Sequence, residues 1–181
     1  MSVFRPSRQL AARRRQRGQG FTLIELMVTV AVIAIVAAVA MPGMVALVNS
    51  YRLTGASGEL TAALQLARSE AIRRNARVTV CSSADGATCS NATAWARWIV
   101  VGRDNATGLP EVIRDETMQG AMQLSGPAGG IQFNPSGIMR AQQALTVCLP
   151  TDKPEDNQRV VNVLISGGVT SAKNNGGGSC P

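Results

Sequence analysis

A single carboxylate, Glu25, stands near the start of an apolar stretch from Gly20 to Met44, and no charged residue occurs between Leu26 and Tyr51. As a helix, at about 1.5 Å per residue, that run crosses a hydrocarbon core of roughly 30 Å. A carboxylate inside it costs about 2.5 to 3.5 kcal/mol at mid-membrane and less near an interface, so it needs a partner. The adjoining residues supply none. Cutting the chain after Gly20 would create one, because the new α-amine of Phe21 lies four residues ahead of Glu25 and the same amine on an adjacent copy can meet the acid. The first helical turn also favours negative charge through the helix dipole. The chemistry implied is proteolysis between Gly20 and Phe21, followed by pairing of an amine with a carboxylate.

Other constellations are sparse. Histidine is absent and aromatics make up only 3 % of the chain, which removes the commonest general base and metal ligand. No Ser/His/Asp, Cys/His or paired-carboxylate arrangement is present, and Asp85, Asp104 and Asp115 read as turn residues. No catalytic residue, cofactor or metal site is expected. Four cysteines, Cys81, Cys89, Cys148 and Cys180, allow three pairings. Cys81 with Cys89 and Cys148 with Cys180 are favoured because each closes a local loop, with chain-entropy contributions of about 2.6 and 3.7 kcal/mol. A zinc site is the rival reading, but it lacks histidine and Cys-x-x-Cys spacing.

These residues must be positioned by a few elements. Residues 1–20 form a leader with six arginines and no acid, which the positive-inside rule retains in the cytoplasm while the chain beyond Tyr51 is exported. The formal charge of +7 is mostly this leader: without its six arginines, 12 basic residues face 11 acids, so charge gives no general signal for nucleic-acid binding. A secretory signal peptide cut at Ala38-Val39-Ala40 is the alternative, and it leaves Glu25 unexplained. Residues 21–50 are read as the membrane half of one long helix, weakened or kinked at Pro42-Gly43. Leu53, Leu60, Leu64, Ala67 and Ala71 then share one face, predicting an amphipathic half over 51–74 inside an exported domain of 51–181.

After Arg77 the period shortens to that of strands, predicted at Val78–Cys81, Trp95–Val101, Val112–Arg114, Met122–Leu124, Ile131–Phe133, Leu145–Leu149, Arg159–Ile165 and a short Val169-Thr170. Trp95 and Trp98 fall on opposite faces of the second strand, and Trp98 is preferred as core. The tail from Asn174 to Ser179 reads as too flexible to order itself, held only by the last bridge. The fold class is α+β, a long helix packed on a small antiparallel sheet or sandwich.

Gly20-Phe21-Thr22-Leu23-Ile24-Glu25-Leu26 resembles the processing signature of type IV prepilins. The resemblance implies cleavage by a prepilin peptidase, N-methylation of Phe21 and helix packing into a filament of pilins. Trp98-Ile99-Val100-Val101, Ile131-Gln132-Phe133-Asn134-Pro135-Ser136-Gly137 and a Cys148 strand followed by Arg159-Val160-Val161 are similar to the GspH/FimT family of minor pilins and pseudopilins. The carboxy-terminal loop and the Gly167-Gly168 turn resemble the FimT branch, so a minor type IV pilin in the bacterial inner membrane, with its domain in the periplasm or in a pilus, is the leading expectation. A GspH-like pseudopilin of type II secretion is the alternative. Some FimT-branch members bind DNA through Gly-Arg-x-Arg. Here Gly168 matches the glycine but Val169 and Ser171 replace the arginines, so DNA affinity should be weak and salt-sensitive. Arg140, Lys153, Arg159 and Lys173 are the candidate DNA or ligand contacts of a tip-binding module.

Overall fold

The computed structural model describes residues 20–181; the leader arginines and residues 1–19 as a whole lie outside the described residues. The chain divides into two compact units at Ala40/Met41. Helix α1 (Leu23–Arg74) contributes to both. Thr22 caps it: its hydroxyl accepts the Glu25 N–H at 3.2 Å and its carbonyl accepts the Leu26 N–H, satisfying amides that a helix start leaves without partners. Helical backbone runs through Pro42 and Gly43. The far end closes at Asn75, whose φ of 49° is left-handed, with Asn75 N–H donating to Ile72 and Ala76 N–H to Ala71. This is a Schellman closure in which asparagine takes the place glycine usually fills.

In the first unit, the apolar side chains from Leu23 to Val39 are exposed on every side of the helix. In the second, the stripe Leu53, Leu60, Ala63, Leu64, Ala67 and Ala71 is at most 1 % exposed. The spacing of these residues alone puts them on one face, and that face belongs to the core.

Two antiparallel sheets complete the second unit. One has the order β3 (Pro110–Thr117), β2 (Arg97–Arg103), β1 (Val78–Ser82), β5 (Ile131–Phe133). The other has the order β4 (Gln123–Ser125), β6 (Gln143–Cys148), β7 (Gln158–Val163), β8 (Val169–Asn174). Val78, Val80, Val100, Ile131, Phe133, Leu145, Val147, Val161 and Val163 join the helix stripe in one buried cluster. Burying these side chains at roughly 1.5 to 3 kcal/mol each is the main force holding the helix to the sheets. The β7–β8 turn needs glycine at 167, where φ is 79° and a Cβ would collide with the Gly137 carbonyl.

Three expectations need correction. Trp95 and Trp98 are both buried, at 0 % and 3 % exposure. Strand β2 begins only at Arg97, so strand alternation does not govern Trp95; Trp95 is seated by its N–H to the Leu124 carbonyl, and its indole N–H donates to Ala92. Asp115 lies in β3, where it pairs with Arg97, and is no turn residue. The tail is ordered by more than its bridge: β8 extends to Asn174, Asn157 and Gln158 both donate to the Ser179 carbonyl, and Gly176 N–H returns to Asn157 Oδ1.

The disulfides are Cys81–Cys89 and Cys148–Cys180, and among the described residues no cysteine is free. Replacing Cys148 and Cys180 together by serine is expected to lower stability by about 3 to 4 kcal/mol, from the lost constraint on a loop spanning 32 residues. Thermal unfolding of the double variant against the oxidised parent measures it; coincident transitions would show that the Asn157 and Gln158 contacts suffice.

Candidate functional site

Gly20 and Phe21 precede the cap, both exposed, with the Phe21 side chain 84 % accessible. Glu25 lies in the first turn of α1 with its amide held by Thr22. Thr22-Leu23-Ile24-Glu25 has the form of a capping box, so one short segment both starts the helix and fixes the level of the acid. Behind it, Leu23–Met41 is a stretch of 19 residues long and apolar enough to cross a membrane, with none of it buried among the described residues. A helix that is apolar and exposed all round is suited to lipid or to neighbouring apolar helices.

The charges of the second unit are mostly committed to structure. At the end of α1, Glu70 accepts from Arg73 and Arg74, which hold its carboxyl down at about 2, and Arg74 also pairs with Glu111. Arg68 donates to the Gly137 carbonyl at 3.1 Å. Asp85 accepts from Thr88 and Ala87 amides and from the Thr88 and Ser83 hydroxyls, which pull its pKa below the carboxylate range. Asp104 is lowered likewise by the Ala106 amide and the Thr107 hydroxyl. Carboxylates saturated in this way stabilise turns and are poor proton carriers at neutral pH. Among the described residues no group of His, Cys, Asp or Glu could hold a metal ion.

Of the four basic candidates, the structure brings two together. Arg159 and Lys173 are directly opposed on β7 and β8. Arg140 is exposed beside a separate pocket with Gln132, Asn134 and Gln143. Lys153 is exposed in the loop before β7, which Asn49 of α1 anchors by donating to its carbonyl at 2.9 Å. Arg159 corrects the expectation of a surface contact: it is 3 % exposed and donates to the carbonyls of Asp156 and Gln158 and to the Ser50 hydroxyl. The signal was in the strand, since period-two alternation puts Arg159 on the same face as Val161 and Val163. Sequence reading also missed Asn157, which is fully buried and ties Leu149, Gly176 and Ser179. Nothing in its composition marks it, because its partners are backbone groups distant in sequence.

The family described as "Type II transport protein GspH" matches residues 56–168, and the "Prokaryotic N-terminal methylation motif" matches residues 13–41. No curated protein matches the chain. Among solved structures, the type IV minor pilin FimU of Pseudomonas aeruginosa is similar at 19 % identity and a TM-score of 0.52, over 68 % of this chain and 90 % of that one. The minor pseudopilin EpsH from the type 2 secretion system of Vibrio cholerae is similar at 16 % identity and a TM-score of 0.51, over 67 % and 97 %. At such identities the likeness establishes the fold, an α+β pilin fold with a long amino-terminal helix. The family match spans more than half of the chain and carries the assignment further: this chain belongs to the GspH family, as a non-catalytic minor pilin or pseudopilin subunit of a type IV pilus-like or type II secretion system.

Proposed function

We propose that this chain is a GspH-like minor pseudopilin of type II secretion, made as a precursor and cut between Gly20 and Phe21 by a prepilin peptidase. Phe21 is then N-methylated, and residues 21–50 hold the subunit in the inner membrane with residues 51–181 in the periplasm. On entry into a filament, Glu25 meets the Phe21 amine of the adjacent subunit. The observation that carries this reading is the capped helix start, which holds Glu25 in the first turn behind an exposed Phe21 and ahead of an apolar span that none of the described residues buries. The secretion machine comes first because the matched family is described by type II transport.

A minor pilin of a type IV pilus is the second reading, favoured by the Cys148–Cys180 loop and the Gly167-Gly168 turn, which resemble the FimT branch. DNA contact forms no part of the first reading, and the burial of Arg159 weakens it in the second.

Cross-linked affinity purification of the chain from its own membrane tests the assignment. Secretion pseudopilins are expected among the co-purified subunits; recovery of pilus minor pilins alone would replace the first reading with the second. A mature polypeptide beginning at Met41, free in solution, would overturn both.

A further inference from the structure

Strand β8 is one of the two edges of its sheet, paired among the described residues with β7 alone. The Leu164 N–H donates to the Gly168 carbonyl at 2.8 Å at the mouth of this hairpin. In an antiparallel ladder the hydrogen-bonded pairs alternate from there, through Asn162/Thr170 and Val160/Ala172. Val169, Ser171 and Lys173 therefore turn their N–H and C=O groups away from β7. Their side chains share the face of Val163, Val161 and Arg159, the face that meets α1.

Between that face and Thr54, Gly58 and Thr61 of α1 lies a groove of about 460 Å³, also lined by Arg159, Ser171 and Lys173. The groove has two cations and no acid on its walls. Arg159 is the unusual member. Its hydrogen bonds go to two carbonyls and a hydroxyl, and among the described residues no carboxylate forms an ion pair with it. Burial pulls its pKa down, opposed by the charge of Asp156. A buried charge is ordinarily paired, and hydrogen bonds to neutral groups satisfy its donors without neutralising it.

We propose that this groove receives an extended acidic segment of a partner protein, which adds a strand to β8 and brings a carboxylate to the exposed Lys173, over the buried charge of Arg159. The open edge selects extended backbone, the small groove walls select short side chains, and the unpaired cations select the acid. A nucleic acid would satisfy the cations but leave the outward amides and carbonyls of β8 unused, so peptide is favoured.

The test uses the full chain in detergent micelles, where no filament forms, so its failure leaves the assembly reading untouched. The probe is a fluorescein-labelled peptide, Thr-Asp-Thr-Ala-Thr-Val, which in antiparallel register sets Asp against Lys173 and Ala against Ser171; binding is read by anisotropy. Saturable binding is expected, with the Asn-for-Asp peptide bound about tenfold more weakly. Ser171→Pro should abolish it, since it removes an outward N–H that β7 does not use, a change an edge strand tolerates. Arg159→Gln should bring the two peptides closer in affinity. Absence of saturable binding, equal binding of both peptides by the native chain, or binding unchanged in Ser171→Pro overturns the proposal. Retardation of duplex DNA that competes with the peptide and is lost in Arg159→Gln would replace it with a nucleic-acid site.

Discussion

Glu25→Leu is expected to leave membrane insertion and cleavage intact while removing the chain from filaments. Leucine lengthens the apolar run and spares the cost of burying a carboxylate, so the anchor gains affinity for the bilayer. The Thr22 cap survives, because it uses the backbone N–H of residue 25 and not the side chain. What is lost is the only acid in the first turn of α1 and with it the proposed partner of a neighbouring Phe21 amine. In a low-dielectric setting such a pair is worth far more than a surface ion pair, whose usual value is about 0 to 1 kcal/mol. The variant should therefore accumulate in membrane fractions at the processed size and fall by about tenfold or more in sheared filaments, where 1.4 kcal/mol already accounts for each factor of ten. Normal filament content in Glu25→Leu would rule out the pairing.

Trp95→Ala is expected to be the most damaging single truncation in the sheet domain, at about 3 to 5 kcal/mol. Trp95 is the largest fully buried side chain, and it packs where β4, β6 and the segment entering β2 meet. Its surroundings are already tight: a Cβ at Gly126 would lie 2.5 Å from Leu145 and 2.8 Å from the Trp95 ring. Trp95→Phe should cost less, about 1 to 2 kcal/mol, since it keeps the ring but loses the indole bond to Ala92. Chemical denaturation of both variants separates volume from hydrogen bonding. A Trp95→Ala cost below about 1 kcal/mol would mean that this corner of the core is not packed as described.

Much of the architecture is legible because it rests on short-range pattern. The stripe from Leu53 to Ala71 repeats at helical spacing over five turns, and the periodicity outweighs the turn residues Gly55 and Ser57-Gly58 inside it. Most strand runs stand out as β-branched clusters between glycine- and asparagine-rich turns. What escapes is set by contacts distant in the chain. Trp95 looks like a strand residue until Leu124 claims its amide, and Arg159 looks like a surface cation until Ser50 and the turn before β7 enclose it. The tail is the extreme case: a run of three glycines has no ordering tendency of its own, and its order comes from the amide side chains of Asn157 and Gln158.

The buried cluster draws on residues as early as Leu53 and as late as Val163, and Cys180, next to the last residue, is tied back to Cys148. A piece that stops short of Val163 therefore leaves the interior incomplete, and the second covalent link needs Cys180 as well. On the proposed topology the thiols meet an oxidising compartment only beyond the membrane, so the interior draws on packing alone until Cys148 and Cys180 are joined there.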